Sequence, residues 1–95
     1  MRIVFKDTFV IRLENQLEYI SRDSTKQARK FKSDLLARIK EISSNPYRYR
    51  KSIYFDEESV RDLIFKGYVI VFHLTEKQIE VFGFVKYQKY PTDKE

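Results

Sequence analysis

The last third of the chain most narrows the folds open to it. Three runs, Val60–Phe65, Tyr68–Leu74 and Gln78–Val85, are rich in β-branched and aromatic residues. Only Lys66-Gly67 and Thr75-Glu76-Lys77 separate them. Runs of this length bounded by short polar links read as successive antiparallel strands. Lys66-Gly67 fits a tight hairpin in which glycine supplies the positive φ. A tail, Lys86-Tyr87-Gln88-Lys89-Tyr90, follows the last run and ends on cations and phenols.

The first half reads differently. Ile3-Val4-Phe5 is a short strand-like run, and Asp7 or Thr8 after it suits a helix N-cap. Within Thr8–Arg22 the apolar residues Phe9, Leu13, Leu17 and Ile20 recur at helical spacing, with Arg12, Glu14, Asn15, Glu18 and Arg22 mostly on other faces. Ser24, with Gln27 three residues on, reads as a capping box for a second helix. Ala28, Phe31, Leu35, Ile39 and Ile42 form its stripe, widened by Leu36, and Asn45-Pro46 ends it because proline disfavours helical geometry in the residue before it. Two helices so closely linked pack as an antiparallel hairpin.

The order is therefore β-α-α-β-β-β. It predicts an α+β domain, with a helical hairpin on one face of a small, mainly antiparallel four-stranded sheet. Residues 1–90 make a single domain and 91–95 a short polar tail. In the last strand, alternation places Ile79, Val81, Gly83 and Val85 on one face and Glu80, Phe82, Phe84 and Lys86 on the other. Helices cover one face only. The leftover apolar side chain, Phe82 or Phe84, marks either a binding surface or a place where the 47–59 segment or the C-terminal tail folds over the sheet.

Composition limits the chemistry. The 95 residues contain no cysteine and one histidine, which excludes disulfides, a thiolate zinc site and a multi-histidine metal site. No cofactor is expected. No run approaches the roughly 20 apolar residues of a membrane helix, and the N-terminal apolar run is too short for a signal peptide. A cytoplasmic location without membrane contact is expected. Nineteen Lys and Arg against 14 Asp and Glu give a net charge of +5, which favours acidic partners.

In their order along the chain, several segments resemble the RelE/ParE superfamily of type II toxins. They are Leu17-Glu18-Tyr19-Ile20, the helix end Ile42-Ser43-Ser44-Asn45-Pro46, the strand Val60-Arg61-Asp62-Leu63 and the strand Gly67-Tyr68-Val69-Ile70-Val71-Phe72. The resemblance spans Ile3 to Tyr90, and the longer segment Pro46–Phe55 is similar to that of the ParE-like branch. It implies a toxin that arrests bacterial growth unless a cognate antitoxin covers it, as in plasmid-stabilization systems. ParE-like members poison DNA gyrase and have no established hydrolytic site. RelE-like members enter the ribosome and cleave mRNA without a metal. A non-toxic nucleic-acid-binding module is a third reading, from another class.

The residues bear unequally on these readings. RNA cleavage needs a base for the 2′-hydroxyl, cations for the phosphorane and an acid for the leaving oxygen. By the resemblance, Arg61 matches the strand arginine that contacts the scissile phosphate. Lys86, Tyr87, Lys89 and Tyr90 lie where nuclease members carry C-terminal catalytic residues, so Arg61, Lys86, Tyr87 and Tyr90 are the catalytic candidates. Arg61 pairing with Asp62, Glu57 or Glu58 is the structural alternative. No evident base accompanies them, since unperturbed Tyr and Lys have pKa values near 10. His73 falls inside a strand, opposite in facing to Phe72 and Leu74, as a structural residue would. The pairs Glu57/Glu58 and Glu14/Glu18 read as solvated. Tyr47, Arg48, Tyr49, Arg50 and Lys51, with Lys89, form a binding cluster in which cations meet phosphates and rings stack on bases. The balance favours growth inhibition by binding, with gyrase the favoured target and the ribosome with its mRNA the alternative. The antitoxin is expected to fold as it lays an amphipathic helix or extended segment along the helical hairpin and sheet edge.

Overall fold

The computed structural model describes residues 1–86. Strand β1 (Arg2–Phe5) leads into helix α1 (Asp7–Ser21) and helix α2 (Thr25–Lys40). Two short 3₁₀ turns, Glu41–Ser44 and Pro46–Arg48, carry the chain to β2 (Arg50–Lys51), and β3 (Val60–Phe65), β4 (Tyr68–Leu74) and β5 (Gln78–Lys86) follow. The sheet order is β1-β5-β4-β3-β2. Its three long strands form an antiparallel meander, and β1 lies parallel to β5.

The sheet thus has five strands, one more than the sequence pattern indicates. The addition is β2, whose Arg50 and Lys51 pair with Asp62 and Arg61. Two polar residues give no periodicity to read, and the pairing follows from where the turn after α2 delivers the chain.

The helix boundaries have local causes. Ser24 caps α2, its hydroxyl accepting from Gln27 N at 3.1 Å. The Ser24 amide donates to Ile20 O and its carbonyl accepts from Ala28 N, so this extended residue links the last turn of α1 to the first of α2. The N-cap of α1 is Lys6, with no side-chain cap. Thr8, which sequence suits to capping, instead donates its hydroxyl to Phe82 O at 2.7 Å and ties α1 to β5. At the β3–β4 hairpin both Lys66 (φ 48°) and Gly67 (φ 82°) are left-handed, the twist that two-residue hairpins demand.

Both helices pack on one face of the sheet. Phe9, Leu13, Phe31, Leu35 and Ile39 meet Leu63, Ile70, Phe72, Ile79 and Val81 there. An aromatic series threads this core: Phe5 contacts Phe9, Phe9 contacts Phe84, Phe84 stacks on Tyr68, and Tyr68 and Phe65 both meet Phe31 edge-on. Burial pushes the Tyr68 phenol upward in pKa.

Strict alternation fails in β5. Val71 pairs with Gly83 but Phe72 with Val81, so Phe82 is the extra residue of a bulge. Phe84 therefore joins Ile79 and Val81 on the helix side, and Phe82 packs with Val60, Val69 and Val71 on the other. The segment between β2 and β3 folds over that second face, its Phe55 ring lying 5.5 Å from Phe82.

Candidate functional site

The cations around β2 and β3 are gathered as their sequence positions suggest, yet each has a partner in the chain itself. Arg61 shares the helix-side face of β3 with Leu63 and Phe65, at the end of the sheet. Its side chain is only 12% exposed. The guanidinium donates to Glu58 O (2.7 Å), Tyr49 O (3.0 Å), Tyr47 O (3.5 Å) and the Glu58 carboxylate (3.0 Å). It also lies 4.7 Å from the centre of the Tyr47 ring. These contacts make Arg61 the hub that holds the Tyr47–Tyr49 turn against β3.

The remaining members of the cluster follow suit. Arg48 donates to the Tyr49 hydroxyl (3.1 Å), sits over that ring, and approaches Glu41 at 3.9 Å. The bond to Tyr49 raises its pKa. Arg50 grips Asp62 through Nε and a terminal nitrogen at 3.2 and 3.1 Å. The Lys51 ammonium meets Asp56 at 2.9 Å, which raises the lysine pKa and lowers that of the carboxylate. Tyr49 packs edge-on against Phe72, whereas Tyr47 is 60% exposed. Arg48, Arg50, Lys51 and Arg61 thus face Glu41, Asp62, Asp56 and Glu58. Among the described residues the local charge is close to balanced.

Asp62 is the most unusual group of this region. Its side chain is fully buried, Oδ2 accepts from Arg50 and from Ile53 N (3.1 Å), and Oδ1 has no partner among the described residues. With Ser52, whose amide donates to Val60 O and whose hydroxyl accepts from Tyr54 N, it pins the covering segment to the sheet.

Lys86 ends β5 opposite Tyr68 and is exposed. It stands apart from the Arg61 cluster, beside Arg12 and Tyr19 of α1. The candidates Tyr87, Lys89 and Tyr90 lie outside the described residues. His73 pairs in register with Glu80, its Nδ1 3.7 Å from the carboxylate. Glu80 has its pKa lowered, first by the Gln78 amide at 2.7 Å. Glu57 is exposed, and no group of metal-ligating side chains forms among the described residues.

Two features escape sequence reading. Helix α2 carries Lys26, Arg29, Lys30, Lys32, Arg38 and Lys40 against the single acid Asp34, a basic ridge hidden by attention to its apolar stripe. Arg12, seemingly one more solvated helix residue, borders two adjoining cavities of about 360 and 310 Å³ between α1 and the end of β5. Only the pairing of β1 with the first half of β5 creates that cleft, and nothing in the local sequence marks it.

Comparison with known proteins agrees with this architecture. The family profile described as ParE toxin of type II toxin-antitoxin system, parDE, matches residues 3–89. No curated protein sequence matches significantly. A solved structure described as the chromosomal ParDE TA system from P. aeruginosa superimposes with a TM-score of 0.76 at 14% identity, covering 93% of this chain and 97% of that one. At that identity the superposition speaks for the fold.

Proposed function

We propose that this chain, which belongs to the ParE toxin family of type II toxin–antitoxin systems, arrests growth by binding and poisoning DNA gyrase in the cytoplasm and is neutralised by a cognate antitoxin. The observation that carries the reading is the state of Arg61. A phosphate-gripping arginine must present its fork to a ligand. This one is nearly buried and directed at Tyr47, Tyr49 and Glu58. The acid paired with it, Glu58, is engaged in the same contact, so among the described residues neither a free cation nor a free base stands beside Arg61 for 2′-hydroxyl attack. A protein that acts by occupying a large partner needs no such constellation.

Inducible expression in bacteria tests the reading. Growth arrest with chromosome breaks and intact transcripts is expected, together with loss of supercoiling by purified gyrase on addition of the chain. Transcripts cut at codon-spaced positions would replace this reading with the ribosome-dependent nuclease. Unimpaired growth would remove both.

A further inference from the structure

Strand β1 covers only the first half of β5. Its pairing runs from Gln78 to Val81 and is extended by Lys6 N donating to Val81 O at 2.9 Å. Thr8 then takes Phe82 O, and the chain leaves the sheet edge as α1, which packs on the helix-side face. From Gly83 to Lys86, β5 pairs with β4 on one side, while its other edge meets no strand among the described residues. Backbone N–H and C=O groups on such an edge are a template for another strand.

This edge also has a shaped and charged surround. It lies along the two cavities that Arg12 borders. On the helix side the walls are Arg12, Gln16, Tyr19 and Lys86. On the opposite side they are Phe55, Phe82 and Val85. Neither cavity is lined by a carboxylate, and neither Arg12 nor Lys86 forms a salt bridge among the described residues. A strand added here presents successive side chains to opposite sides of the sheet. One set would meet two cations and amides, the other set aromatic and aliphatic surface.

We infer that the Gly83–Lys86 edge receives an extended segment of the antitoxin in which acidic and apolar residues alternate, pairing with β5 and setting its acids against Arg12 and Lys86. The inference rests on the antitoxin-neutralised reading above and assigns it a place, a conformation and a side-chain code. Main-chain pairing supplies affinity in this mode, and the alternate side chains supply choice of partner.

The test uses the full chain with the protein encoded by the adjoining gene, copurified as a complex. Hydrogen exchange at the alternate amides of Gly83–Lys86 that point away from β4 should slow at least tenfold on complex formation. Arg12→Glu should weaken the complex at least tenfold while arrest by the chain alone persists, and Lys77→Glu, in the β4–β5 turn outside the cleft, should leave binding unchanged. A complex that forms with these amides unprotected, or with Arg2–Phe5 of the other open edge protected instead, overturns the inference and leaves the antitoxin reading standing. Protection of those outward amides already present in the chain alone would mean that its own residues occupy the edge, and also overturns it. An adjoining protein that neither binds nor relieves arrest removes the antitoxin reading and the inference with it.

Discussion

Arg61, whose fork suits phosphate, is engaged with the fold itself. Its planar fork bonds the carbonyls of Tyr47 and Tyr49 in one segment and the carbonyl and carboxylate of Glu58 in another, and its face covers Tyr47. Lysine carries the charge but not the fork. Arg61→Ala is therefore expected to destabilise the chain by about 2 kcal/mol, from lost hydrogen bonds to main-chain carbonyls, the part-buried Tyr49 O among them, and the lost ring contact. Arg61→Lys should recover less than half of that in urea unfolding. At a temperature where Arg61→Ala remains folded, growth arrest should persist. Loss of arrest by a folded Arg61→Ala chain would return Arg61 to direct contact with a target.

At the scale of elements, the sequence was most readable where apolar spacing alone decides the outcome. The stripes of α1 and α2 appear as buried rows: Phe9 and Leu13 in the first, Phe31, Leu35 and Ile39 in the second. The strands β3, β4 and β5 sit within a residue of the runs that mark them. Tertiary placement decided the rest. Strand β2 exists only because β3 is beside it, and Thr8 left the cap because a carbonyl of β5 lies within reach. The β5 bulge is the most consequential departure, since it reverses the facing of Phe84 and leaves Phe82 to the covering segment. It was faintly marked by Gly83. A Cβ built there lies 2.9 Å from Val71 Cβ and 3.0 Å from Cγ2, so the strands approach as closely as they do only because the side chain is absent. Gly83→Ala is expected to cost about 1–3 kcal/mol, the usual penalty for overpacking. Gly83→Ala combined with Val71→Ala should regain part of it, because the second change removes Cγ2 at 3.0 Å while leaving the Cβ contact at 2.9 Å. Additive losses in a double-mutant cycle would show that the glycine serves the bulge backbone rather than the contact.

For the whole molecule, the determining fact is that the two ends of the described chain meet in one core. Arg2–Phe5 pairs with Gln78–Val81, and the aromatic series from Phe5 to Phe65 takes a ring from β1, both helices and each strand of the meander. Neither helix buries its stripe without the sheet, and among the described residues only Ile42 and Tyr49 beyond the two helices help to cover the sheet's helix-side face. A chain of about this size keeps only a modest share of its surface away from water, so no subset of elements has a core of its own to persist on. Unfolding is accordingly expected to be two-state, with far-ultraviolet circular dichroism and tyrosine fluorescence tracing one coincident urea transition. Phe84 lies mid-series, touching Phe9 from α1 and Tyr68 from β4. Phe84→Ala should lower stability by about 3–5 kcal/mol, the range for truncating a buried aromatic. It should do so by moving both probes together to lower urea. A variant that lost the tyrosine signal first while retaining helical dichroism would reveal a helical hairpin stable apart from the sheet, and would show that the molecule does not depend on β1 pairing for its integrity.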